Sequence, residues 1–96
     1  MVRLYETTFI IKPDVEEGVR DEIFDRVKGI ITDNDGEIVE FNVWGSKKLA
    51  YEIQDYTNGF YINVMFKGTS VVNDELEHNY KIMDDVLRYL ILRKED

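Results

Sequence analysis

The sequence predicts an α+β sandwich: a four-stranded antiparallel sheet with two helices packed on one face. Three observations predict it. Four stretches are rich in β-branched and aromatic residues and carry strand-like patterns. Two others place apolar residues at helical spacing. Their order is strand, helix, strand, strand, helix, strand, and crossovers put both helices on the same side of such a sheet. That order defines the ferredoxin-like, split βαβ sandwich.

Leu4 to Ile11 reads as the first strand, with Tyr5, Thr7, Phe9 and Ile11 on one side and Glu6, Thr8 and Ile10 on the other. Lys12-Pro13-Asp14 ends it. Asp14 can cap the helix that follows, and Glu16 and Glu17 suit a helix N-terminus. Val15, Val19, Ile23, Phe24, Val27, Ile30 and Ile31 form the buried stripe of that helix, while Asp21, Glu22, Asp25, Arg26 and Lys28 face water. Asp33-Asn34-Asp35-Gly36 stops it.

Glu37 to Ile53 is a long extended stretch in which Gly45 marks a bulge or bend. Gln54 to Gly59 reads as a turn, with Asn58-Gly59 as its reversal signal. Phe60 to Lys67 is the third strand: Phe60, Ile62, Val64 and Phe66 take one face, Tyr61, Asn63 and Met65 the other. A second helix is expected near Val71 to Asn79, capped by Ser70 or Asn73. Asp84-Asp85 is a turn, Val86 to Arg93 the last strand, and Arg93-Lys94-Glu95-Asp96 a polar tail. There is no internal repeat, linker or low-complexity stretch, so residues 1–96 are expected to form a single domain.

Helices on one side leave the other face of the sheet uncovered, and Ile10, Tyr61, Met65 and Leu90 should point toward it. Two readings stay open on pattern alone. An apolar, aromatic face suggests a partner surface. Scattered apolar residues are also ordinary on protein surfaces.

Composition narrows the function. The 96 residues are 44% hydrophobic and contain no cysteine, which excludes disulfides, thiolate nucleophiles and zinc–thiolate sites. A reducing cytoplasm fits this. Glu6 interrupts any apolar run at the start, so no signal peptide is expected, and no run approaches membrane-spanning length. Charge points away from nucleic acid: 20 Asp and Glu stand against 12 Lys and Arg, a net charge of −8. RNA binding requires the cations to cluster on one face, because screening keeps each patch local.

Trp44-Gly45-Ser46-Lys47-Lys48-Leu49-Ala50-Tyr51-Glu52-Ile53 is the most informative stretch. Lysines pair with phosphates and an exposed tyrosine stacks on a base. Taken by itself, a Lys-Lys pair fits an ordinary guarded edge strand at least as well. The single histidine, His78, suits a solvated or capping place better than that of a base. Asp33-Asn34-Asp35-Gly36 lacks the ligand spacing of a calcium loop. Asp84-Asp85 is a turn rather than half a metal site. Neither catalytic residues, metal ligands nor a cofactor are expected.

That stretch resembles the signature of the sixth small-subunit ribosomal protein family of bacteria: a large residue, glycine, a variable position, two basic residues, Leu-Ala-Tyr, then Ile after one position. Tyr5-Glu6 with Pro13, Asn58-Gly59-Phe60-Tyr61, and Lys81 to Tyr89 are similar to further family segments, in order and over essentially the whole chain. The resemblance implies a structural constituent of the small ribosomal subunit that acts in ribosome assembly and translation. It would bind the central domain of small-subunit ribosomal RNA together with the eighteenth small-subunit protein, in the cytoplasm, with no membrane, no small-molecule substrate and no enzymatic activity. Arg3, Lys47, Lys48 and Arg88 match basic family positions expected near phosphate, and Tyr51 matches the family tyrosine in a contact or packing role. Ile10, Tyr61, Met65 and Leu90 are the candidate partner surface. Glu52 stands where many relatives have proline, and Leu87 where some have a second arginine. With −8 overall, binding is expected mainly beside a basic partner.

Two rival readings share this topology. An RRM requires a basic-Gly-aromatic third strand, which Asn58-Gly59-Phe60-Tyr61-Ile62 only echoes. An acylphosphatase-like hydrolase requires a phosphate loop with an arginine, and Lys12-Pro13-Asp14-Val15 has neither arginine nor glycine.

Overall fold

The computed structural model describes residues 1–94. Its elements run β1 (Arg3–Ile11), α1 (Glu17–Asp33), β2 (Glu37–Ile53), β3 (Tyr56–Gly68), α2 (Ser70–Ile82) and β4 (Val86–Arg93). The four strands form one sheet in the order β2-β3-β1-β4, antiparallel at each junction. This is the ferredoxin-like arrangement that the sequence predicts. The expected polar tail extends outside the described residues at Glu95 and Asp96.

The core lies between the sheet and the helices. Tyr5, Thr7, Phe9 and Ile11 of β1 and Ile62, Val64 and Phe66 of β3 are buried against Ile23, Val27 and Ile31 of α1 and Val72, Leu76 and Tyr80 of α2. Val19 departs from the expected stripe: it is 37% exposed, close to the helix N-terminus. Thr7 puts a hydroxyl into this core and keeps it bonded. The hydroxyl donates to the Leu90 carbonyl at 3.1 Å, so its lone pair accepts from the Tyr80 hydroxyl at 3.0 Å. Burial pushes the Tyr80 phenol above its ordinary pKa and keeps it a donor.

The helix ends differ from the capping expected. Glu16 is the N-cap of α1 and makes no side-chain cap bond. Asp14 instead accepts a hydrogen bond from the Tyr56 hydroxyl at 3.1 Å, which ties the β2–β3 hairpin to the loop after β1. Desolvation, then this carboxylate, raise the Tyr56 phenol, so it stays a donor. At its other end α1 closes with Asp35 N–H to Thr32 O at 3.2 Å and Gly36 N–H to Ile31 O at 2.8 Å, a Schellman pair. The left-handed residue there is Asp35 (φ 63). Helix α2 follows Thr69, which also makes no side-chain cap bond, and runs to Ile82. Ser70 and Asn73 therefore lie inside it rather than capping it.

The turn expected over Gln54 to Gly59 is confined to its first two residues, and the reversal is not at Asn58-Gly59. Gln54 (φ 50) and Asp55 (φ 69) are both left-handed, and Ile53 pairs directly with Tyr56. That is the two-residue loop of a tight hairpin. Asn58 and Gly59 sit inside β3, opposite Lys48 and Lys47. The bulge expected at Gly45 is present: its φ is 85, and the β2–β3 register shifts between Val43 and Gly45.

Candidate binding surface

The strand pairing fixes which side chains share the face without helices. Three rows cross it from β2 to β4: Gly45, Tyr61, Ile10, Arg88; then Asn42, Asn63, Thr8, Leu90; then Glu40, Met65, Glu6, Leu92. All four residues of the expected partner surface, Ile10, Tyr61, Met65 and Leu90, are thus on one face. Asn63 ties the middle row to the next one. Asn63 donates to Glu6 and to Thr8, each at 2.9 Å, and Lys94 approaches Glu6 at 3.5 Å.

One end of this face has a roof. The β2–β3 register slips by three residues between Lys48↔Asn58 and Ile53↔Tyr56 (five steps along β2 against two along β3). The extra length lies in Leu49 to Glu52. Alternate residues then meet successive strands. The Lys47 ammonium lies 5.9 Å from the Tyr61 ring of β3 and 4.7 Å from Trp44. Leu49 is buried beside Ile10 of β1. Tyr51 reaches the Arg88 guanidinium of β4, 5.1 Å from its ring centre. The Lys-Lys-Leu-Ala-Tyr stretch is therefore a strap laid across the sheet.

Gly59 makes the strap possible. A Cβ there would overlap Ile10 Cγ2 and meet Leu49 Cδ2 at 3.3 Å. Gly59→Ala is expected to cost about 1–3 kcal/mol, the usual range for overpacking. Adding Ile10→Ala should recover part of that loss. Urea unfolding of both single variants and the double variant measures the coupling. Strictly additive effects would disprove the close approach.

The strap gathers cations with aromatic rings. Lys47 and Arg88 each lie over a ring, where a cation gains about 0.5–1 kcal/mol at an exposed site and is held in place. Trp44 is 47% exposed and Tyr51 59% exposed, so both rings remain accessible. Lys48 is exposed but follows Lys47 by one residue in a strand, and its side chain leaves by the opposite side. Arg3 pairs with Gly68 at the far end of β1, roughly 23 Å from Ile10 at strand rise. Of the five candidate RNA residues, the fold brings together Lys47, Tyr51 and Arg88, and not Lys48 or Arg3. The other end of the open face differs in charge, with Glu6 and Glu40 beside Met65 and Leu92. Reading the sequence for basic pairs missed Leu49 and Gly59, although the two-residue spacing of Lys47, Leu49 and Tyr51 was a usable signal.

Among the described residues, no group of three or more His, Cys, Asp or Glu is placed to hold a metal ion. No helix among the described residues is long and apolar enough to cross a membrane. His78 is exposed on α2.

Fixed cations beside rings at one end of an open sheet, and carboxylates beside aliphatic chains at the other, define a ferredoxin-like binding module. Comparison with known proteins gives its family. Residues 4–93 match the family model for ribosomal protein S6. The small ribosomal subunit protein bS6 of Moorella thermoacetica is 43% identical over 99% of this chain and 97% of its own length. That of Thermoanaerobacter pseudethanolicus is 45% identical over 99% and 100%. A crystal structure of the 30S ribosomal protein S6 from Thermotoga maritima superposes with a TM-score of 0.92 at 34% identity, covering 98% of this chain and 89% of that one. The chain belongs to the ribosomal protein S6 family. It is a structural protein of the small ribosomal subunit, in the cytoplasm, and not an enzyme.

Proposed function

We propose that this chain binds the central domain of small-subunit ribosomal RNA together with the eighteenth small-subunit protein, and so takes part in assembly of the subunit. The observation that carries the reading is the charge gradient along the open face. Lys47 and Arg88, each over an aromatic ring, offer two positioned cations to phosphate, and Trp44 and Tyr51 offer rings to unpaired bases. Glu40, Met65 and the half-exposed Leu90 and Leu92, with Glu6 already met by Lys94 and Asn63, suit a basic protein neighbour with an apolar contact. Such a neighbour answers the net charge of −8, which opposes RNA binding by the chain alone. Ile10 and Tyr61 are assigned to supporting the strap rather than to the partner, because Leu49 and Lys47 already lie against them.

The test is a gel-shift titration on a central-domain ribosomal RNA fragment, with and without the eighteenth small-subunit protein. Binding is expected only, or far more tightly, with the partner present. No binding in either condition would overturn the proposal.

A further inference from the structure

A concavity of about 600 Å³ lies at the end of the sheet where β1 finishes and β4 begins. Lys12 enters it from just beyond β1, Lys81 and Met83 from the end of α2, and Arg88 and Tyr89 from β4. These elements are tied together: the Lys12 backbone N–H donates to the Asp85 carbonyl at 2.9 Å. The Tyr89 ring stacks on Tyr80 at 5.0 Å, and the Tyr80 hydroxyl is engaged with Thr7. The aromatic wall is therefore held in place by the core.

The charge of these walls is opposite to that of the chain. Lys12 and Lys81 line the cleft, Arg88 borders it at the edge shared with the open face, and Asp84 is the one acid of the lining, in a protein where acids outnumber bases 20 to 12. Besides Asp84, two features oppose an anion there: the carbonyl end of α2, and Glu77, which pairs with Lys81 at 3.1 Å. Lys81 in the last turn of α2 offsets the first. The Glu77 pair is exposed to water, which screens it, so a phosphate competes for the same ammonium. The volume lies within the range of roughly 300–1,000 Å³ usual for small-molecule sites, which is generous for a lone phosphate. A cationic rim with an aromatic wall suits a nucleotide, because proteins recognise unpaired RNA bases by stacking them on aromatic side chains. Arg88 also lies over Tyr51, so the cleft is continuous with the strapped end of the open face.

We infer that this cleft takes one unpaired ribonucleotide, its phosphate between Lys12 and Lys81 and its base against Tyr89 and Met83. The inference rests on the RNA-binding reading above and adds a position off the open face to it. The test is ultraviolet cross-linking of small-subunit particles reconstituted from the full chain and unmodified ribosomal RNA, with cross-linked peptides mapped by mass spectrometry. Cross-links on the segments bearing Lys12, Lys81 or Tyr89 are expected. Lys12→Gln with Lys81→Gln should lower them severalfold while leaving any at Trp44 and Tyr51. Cross-links confined to Trp44 through Tyr51 would overturn the cleft and leave the RNA-binding reading standing. No RNA cross-link anywhere on the chain would overturn both.

Discussion

Phe9→Ala is expected to destabilise the protein by about 3–5 kcal/mol, the usual cost of removing a buried phenyl ring. Phe9 is fully buried at the centre of the sheet, its ring 5.3 Å from that of Tyr80. Tyr80 in turn stacks on Tyr89 and donates to Thr7. Few of these neighbours can collapse into the vacancy, because the strands on both sides of β1 hold their own side chains in register. A domain of this size has roughly 5–15 kcal/mol of stability to lose. At about 4–8 °C per kcal/mol, the melting temperature should fall by more than 10 °C. Leu90→Ala is the contrast: Leu90 is 53% exposed on the open face and should cost well under half as much. Thermal unfolding followed by circular dichroism compares the two. Similar losses would show that the core is not where the burial pattern puts it.

Phe9 was legible because its evidence is local. Alternation of Tyr5, Thr7, Phe9 and Ile11 assigns one face of β1 from the sequence alone, and burial follows. The α1 stripe is legible for the same reason, except at Val19, where the helix has only begun to meet the core. What failed depends on contacts distant in sequence. Asn58-Gly59 has the composition of a tight turn, yet that glycine serves close approach of Ile10 and Leu49 within a strand. The reversal uses Gln54 and Asp55 at the start of the expected turn, which carry no strong signal for left-handed backbone. Asp14 is a good capping residue by type, but Tyr56 recruits its carboxylate from across the fold.

The binding surface divides the same way. Lys47 and Lys48 are indistinguishable as neighbours in sequence, and only the strand register separates their sides. Arg3 and Arg88 are both basic, and only topology sets them at opposite ends of the sheet. Pairing Lys47 with Trp44, and Arg88 with Tyr51, requires the strap, which no local propensity encodes.

This geometry has a measurable consequence for RNA binding. Lys47→Gln with Arg88→Gln should remove two phosphate contacts. Each such contact contributes about 0.7–0.9 to the slope of log affinity against log salt, so the slope should flatten by roughly 1.4–1.8. The loss should be uniform across RNA sequences, since phosphate carries no base identity. Both side chains are exposed, so thermal stability should change by less than about 1 kcal/mol. Lys28→Gln is the control. That lysine lies 4.4 Å over the Phe41 ring on the helix side, so removing it takes away one positive charge, against two for the pair, without touching the open face. The measurement is a salt series of RNA affinities for the complex with the basic partner. If Lys28→Gln flattens the slope as much per charge as the pair does, binding follows net charge and not position. If only the pair flattens it, the strap is what converts an acidic chain into a local phosphate site.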